Sequence, residues 1–258
     1  MSRSLDQQRW RVCARQAGFT LLELAVVLVV AGLTSWAAFS GYTTVSQEQE
    51  VERGRAQAQE LQAVLRAFAL RNGRLPCPAA NPDGYETVTA GSCSAGNQLG
   101  WFPYISVGLE LPTDRLRARY SVFRAANAVA ALDADLAVAL ERTGDTVGDT
   151  TYLDATDLIV ALNNASALAF SSARTYLTGD AGAAGAIDCA SNQVMAAAYW
   201  VVVPLQDRSG DGERLDPPHA MTSLCAASPS APLRWNSDDV VVAESPAQLA
   251  GWLRQSMP

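Results

Sequence analysis

The stretch RQAGFTLLELAVVLVVAGLTSW, Arg15 to Trp36, decides how the rest of the chain is read. From residue 19 to 39 nearly every side chain is apolar, about the 20 residues a helix needs to cross a bilayer. The residues before it are polar and basic, with Arg3, Arg9, Arg11 and Arg15 against Asp6. Such a flank stays on the cytoplasmic side, so the chain beyond the apolar run faces outward. An ordinary secretory signal fits less well, because the apolar pattern runs on into more helix and meets no small-residue cleavage site. One carboxylate, Glu23, interrupts the run. In lipid it costs roughly 2.5–3.5 kcal/mol on insertion scales and calls for a partner. An assembly of such helices, in which a cation of a neighbouring copy offsets the charge, accounts for Glu23; a lone anchor does not.

GFTLLELAVVLVVAGL, residues 18–33, resembles the processing signal of type IV pilins and type II secretion pseudopilins. The resemblance implies that a prepilin peptidase cuts after Gly18 and that Phe19 becomes the methylated N-terminus. It also implies that Glu23 pairs with the amino terminus of an adjacent subunit during assembly. Gly32 matches a glycine of that helix. Two features depart from the major subunits of the family: Ser40–Gly41 stand where many carry a kinking Pro, and the 18-residue leader is long. Both favour a minor pilin or minor pseudopilin. The implied partners are other pilin or pseudopilin subunits, the prepilin peptidase and the inner membrane. The implied location is a single pass through a bacterial inner membrane, head in the periplasm, and then a pilus or pseudopilus.

The helical pattern continues past Gly41 without a Pro until Pro76. Leu61, Val64, Leu65 and Phe68 fall at i, i+3, i+4 and i+7, one face of a helix, and Glu50, Glu52, Arg53, Arg55 and Glu60 supply a polar face. Asn72–Gly73 and Leu75–Pro76 stop it. One helix from Phe19 to about Arg71 is therefore expected, on the order of 80 Å at 1.5 Å per residue. The expected organisation is a leader at 1–18, a membrane or filament-core half-helix at 19–42, an amphipathic half at 43–73 and a globular head at 74–258.

Residues 74–123 are punctuated by Pro, Gly and Asn and read as a loop-rich connector, with a strand at Arg117–Phe123. Its order, LPCPA through Gly and Pro to the RY strand, resembles some minor pilin heads. NAVAALDADLAVALERT (127–143) and DATDLIVALNNASALAF (154–170) read as short helices, the second capped by Asp154 or Thr156. GDTVGDTT (144–151) separates them, and GDAGAAGA (179–186) reads as a flexible loop. VMAAAYWVVVP (194–204) reads as one strong strand and DDVVVAE (238–244) as another. SPAQLAGWLRQSM closes the chain as a helix, with Ser245 as cap and Pro246 in the first turn. The expected fold is α+β: a long N-terminal helix on a small antiparallel sheet, with inserted short helices.

Of five Cys, Cys13 precedes the apolar run, which leaves Cys77, Cys93, Cys189 and Cys225 for an exported head. Four Cys allow three disulfide connectivities; pairing Cys77 with Cys93 and Cys189 with Cys225 closes the shorter loops. The spacing fits no zinc pattern. The net charge of −7 gives no nucleic-acid footprint. No G-x-S-x-G elbow or Walker loop occurs, and the single His, His219, reads as a surface loop residue, so no enzyme is expected. Asp133/Asp135 and Asp238/Asp239 read as solvated charges. The remaining candidate is DRSGDGERLD: Asp207, Ser209, Asp211 and Gly212 match the first half of a calcium loop, and Glu213 and Asp216 add oxygens. The twelfth position is Pro218, so it is not an EF-hand, and a solvated acidic turn explains the same residues. Three functions compete: a structural subunit of a filament or secretion machine, a tip adhesin or substrate-binding module on the same anchor, and a signal-anchored periplasmic protein.

Overall fold

The computed structural model describes residues 20–89, 92–145, 152–179, 188–189, 193–232, 234 and 236–257. Two compact units divide between Glu48 and Gln49. In chain order the elements are α1 (Leu21–Asn72), β1 (Val88–Thr89), β2 (Ser92–Cys93), β3 (Leu99–Trp101), β4 (Arg119–Val122), α2 (Ala155–Ala167), β5 (Tyr176–Thr178), β6 (Gln193–Ala196), β7 (Tyr199–Val203), β8 (Cys225–Ala227), β9 (Val240–Glu244) and α3 (Pro246–Ser256). The class is α+β, a long N-terminal helix with small, mainly antiparallel sheets and extra short helices.

In the first unit the apolar side chains of α1 are open: Leu21, Val29 and Phe39 are all exposed. A continuous apolar surface of this kind suits lipid or a filament core and not a water-facing helix. In the second unit the same helix is amphipathic. Ala58, Leu61, Leu65, Phe68 and Ala69 are buried on one face, the spacing that the i, i+3, i+4, i+7 stripe predicts. Gly73 ends the helix with φ +60, its N–H donating to the Ala69 carbonyl, and the Asn72 amide donates to the Phe68 carbonyl. A side chain at Gly73 would also strike the Asp154 carbonyl at 2.7 Å.

The main sheet is antiparallel with order β3-β4-β7-β9. Alternation along its strands feeds two cores. Tyr120, Val122, Tyr199, Val201 and Val203 join α1, α2 and α3 in the larger one. Trp200 and Val202 turn the other way, to Leu177, Leu215 and Ala226. That is why YWVVV is apolar throughout: both faces are covered. Arg66 of α1 forms an ion pair with buried Glu244 at the end of β9 and lies 5.3 Å from the Trp252 ring centroid of α3, pinning helix, sheet edge and C-terminal helix together.

Two expectations need correction. The apolar run 194–204 is not one strand: it splits into β6 and β7, which belong to different sheets. β6 pairs antiparallel with β5, and β8 pairs parallel with β5, so the smaller sheet is mixed. Ala197 and Ala198, fully buried, carry the chain across. The segment 127–143 is not an α-helix either; it holds one 3₁₀ turn, Ala130–Leu132. Its two Asp side chains take the amides a helix would use. Asp133 accepts from the N–H of Asn127 and Asp135, and Asp135 accepts from the N–H of Ala137. α2 does form, and Asp154 is its cap, in a reciprocal capping box with Asp157. The loop 179–186, apart from Gly179, and residues 146–151 lie outside the described residues.

Candidate functional site

The N-terminal end of α1 carries the first set of candidate residues. Gly18 and Phe19 lie outside the described residues. Glu23 is in the first turn, exposed, and occupied by its own helix. Its Oε2 accepts from the N–H of Thr20 at 2.8 Å and from the Thr20 hydroxyl at 3.0 Å, while Thr20 Oγ1 accepts from the Glu23 N–H at 3.2 Å. This is a capping box with Thr20 as N-cap and Glu23 as N3. A carboxylate at a helix N-terminus is also favoured by the macrodipole. The T-x-x-E spacing is present in the sequence; reading Glu23 only as a partner charge passes over it. Chemically, Glu23 presents an anion, already oriented by Thr20, at the start of an apolar helix.

The second set is the cysteines. Cys77 is bonded to Cys93, with Cα atoms 5.6 Å apart, and Cys189 to Cys225, with Cα atoms 6.0 Å apart. The first closes the connector after α1 onto β2, and the second ties the approach to β6 to β8.

The third set is the acidic loop, and the structure does not gather its five oxygen donors. Asp207 is exposed and accepts from the N–H of Gly210 at 2.7 Å and of Gly212 at 2.9 Å, and from the Ser209 hydroxyl at 3.2 Å. These amides hold its carboxyl below the usual carboxylate range, with Gly210 the largest cause. Asp211 accepts from the Glu213 N–H. The glycines at 210 and 212 take φ of +72 and +82, the turn that the G-D-G sequence permits. Asp216, in contrast, is fully buried and gathers with Asp238 and Asp239, which immediately precede β9, with oxygens within 4.8 Å of one another. Those oxygens are largely engaged by the chain's own donors. Asp216 takes the N–H of Arg208, Ser209 and Asp238, and Asp238 takes the Arg208 guanidinium at 2.7 Å. Through these donors the carboxylates fold the loop onto the approach to β9.

His219 belongs to this buried group and is not a surface residue. Its Nδ1 lies 2.9 Å from Asp239 Oδ2, and its Nε2 accepts from the Ala227 N–H at 3.0 Å. An amide can donate only to a lone pair, so the proton sits on Nδ1 and points at Asp239. Burial pushes the Asp239 carboxyl above the usual carboxylate range, opposed by the hydrogen bond from His219. Asp133 and Asp135 are likewise not solvated. Asp133 pairs with Arg142 at 2.5 Å and Asp135 with Arg124 at 2.7 Å, all four nearly buried. Sequence reasoning misplaces these acids because a charged residue on a short Ala-rich segment usually faces water, and its Arg partner is too far along the chain to be paired by spacing.

Residues 13–39 match the model of the prokaryotic N-terminal methylation motif. The chain carries a type IV pilin or pseudopilin signal. No curated protein and no solved structure matches the chain. The signal spans the end of the basic flank, the Gly18–Phe19 junction, Glu23 and most of the exposed apolar helix, and together they fit a membrane-anchored protein. A pilin signal implies processing by a peptidase and assembly with other pilin subunits. It supports a type IV pilin-like or pseudopilin-type subunit.

Proposed function

We propose that this protein is a minor pilin or minor pseudopilin. It is cut between Gly18 and Phe19 by a prepilin peptidase, methylated at Phe19, and assembled through α1 into a type IV filament or a type II secretion pseudopilus. The observation that carries this reading is the motif at residues 13–39 continuing into an exposed apolar helix with one carboxylate, Glu23. Before assembly the head lies in the periplasm, where its two disulfides persist. The protein has no catalytic role, and its head is held by its own side-chain network.

Glu23 has two separable tasks in this reading, and two variants separate them. Glu23→Gln keeps an acceptor for the Thr20 N–H but removes the charge that offsets a neighbour's amino terminus. Glu23→Ala removes both. If assembly depends on charge, both variants lose incorporation into filaments or lose secretion in the native host, while both remain processed. The accompanying measurement is the intact mass of the protein from the host envelope. A mass of Phe19–Pro258 plus one methyl, less the hydrogens of two disulfides, is expected; an uncut N-terminus would overturn the reading. Assembly by Glu23→Gln at wild-type level would reduce Glu23 to a helix cap.

A further inference from the structure

Arg119 is an unusual residue for a strand of the main sheet. It is 5% exposed, yet among the described residues no carboxylate lies within 4 Å of its guanidinium. Its Nη2 donates to the Met221 carbonyl at 2.6 Å, and its Nε is buried without an acceptor. Its register partner across the strands is Trp101, at the end of the edge strand β3, and the guanidinium sits 4.9 Å from that ring's centroid. A second cation approaches the same ring. Arg214 lies 5.9 Å from the Trp101 centroid, delivered by the loop whose next residue, Leu215, is buried in the smaller core. Arg214 has no carboxylate within 4 Å among the described residues either, and Arg115 and Arg117 are near enough to act on it, against Asp114. Arg117 is paired with Asp114, so the surplus stays positive.

Two guanidiniums approach one indole, and the ring compensates a buried cation only in part. Burial lowers the Arg119 pKa to about 10, the sign of a cation short of compensation. In a chain of net charge −7, a cationic spot that leaves two Arg without an acid is contrary to the average surface. The missing component is an anion. Guanidinium forks fit planar or tetrahedral oxyanions with paired hydrogen bonds. We propose that Trp101, Arg119 and Arg214 form a receptor for a single oxyanion, a carboxylate or a phosphate, presented from outside the chain. The site is separate from α1 and independent of the function proposed above, so failure here leaves that reading untouched.

The test uses the full chain in detergent micelles. Its Tm is followed while sodium phosphate or sodium acetate replaces sodium chloride at constant ionic strength, which removes plain screening. A ligand that binds only the folded state raises Tm with a saturating dependence on concentration. Phosphate also stabilises proteins by exclusion, so the variants decide the matter. Arg214→Gln, at a half-buried side chain, should need about tenfold more anion or worse for the same rise, given what a charged hydrogen bond contributes. Arg71→Gln, which removes an exposed charge of α1, should behave as wild type. Saturation with both anions assigns the site to carboxylate-bearing partners as well as phosphate, and saturation with phosphate alone assigns it to phosphate. A rise that does not saturate, or one equal in Arg214→Gln and wild type, overturns the proposal.

Discussion

Replacing Arg142 by Met tests whether the segment 127–143 is folded by its charges. The Arg142 side chain is 0% exposed and its partner Asp133 5%. Its Nη2 donates to Asp133 Oδ1 at 2.5 Å and to the Asp135 carbonyl at 2.8 Å, and its Nη1 donates to the Leu140 carbonyl at 2.9 Å. Methionine fills much of the volume but leaves Asp133 with two amide donors and no counter-charge. Breaking a buried pair from one side costs about 3–5 kcal/mol, because the surviving charge stays desolvated. For a unit of roughly 200 residues each kcal/mol is worth about 2–4 °C, so Tm should fall by roughly 6–20 °C. The assay is thermal unfolding of the oxidised full chain in detergent, followed by circular dichroism. Asp133→Asn in the Arg142→Met background should recover part of the loss, since the amide no longer strands a charge. A fall of less than about 1 kcal/mol for Arg142→Met, the size of a surface pair, would refute the reasoning. So would a double variant no better than the single one, because it would place the loss in packing and not in charge.

Four further outcomes concern other parts of the head. Gly100→Ala should destabilise by about 1–3 kcal/mol or more, because the new Cβ would stand 2.4 Å from the Ala79 carbonyl oxygen, a backbone atom that cannot swing away; denaturant unfolding measures it. Loss of Cys189–Cys225, which spans 36 residues, should cost about 4 kcal/mol, against about 3 kcal/mol for Cys77–Cys93, which spans 16, on the chain-entropy account; paired Cys→Ser variants would show the order. Burial raises the Asp239 carboxyl in the folded state, so the fold holds that proton more tightly than the unfolded chain does. Its contribution is therefore most favourable at acid pH and is lost as pH rises from the ordinary carboxylate pKa through the raised one. Asp239→Asn keeps an acceptor for His219 Nδ1–H and should flatten that slope; a slope of stability against pH identical to wild type would contradict it. A chelator should leave Tm unchanged in the same experiment, whereas a chelator-sensitive Tm would restore a cation to the Asp216, Asp238 and Asp239 group.

Legibility in the sequence divides along a physical line. Local rules are enough for α1, whose stripe of Leu61, Leu65 and Phe68 lies on one face and whose end at Asn72–Gly73 needs only backbone chemistry. They are also enough for α3, where Ser245, Pro246 and Gln248 form the start signal by themselves. The methylation signal is equally local, because a peptidase and a membrane read a short linear segment. The errors arise where a residue's role depends on a partner far along the chain. Asp133 reads as a helix surface charge until Arg142 covers it, and His219 reads as a loop residue until Asp239, just before β9, and Ala227 of β8 close on it. Nothing local in the sequence brings Arg119 and Arg214, from two other segments, to Trp101. Periodicity carries no information about such meetings, since they are fixed by sheet register and loop closure. The same division bears on function. The segment that carries the processing signal is linear and legible, while the charge pairs of the head are brought together only by the fold. Anion binding by the head should therefore respond to substitution at Arg214 while processing at Gly18 stays unchanged. Substitutions at Glu23 should do the reverse, abolishing assembly whatever the head presents.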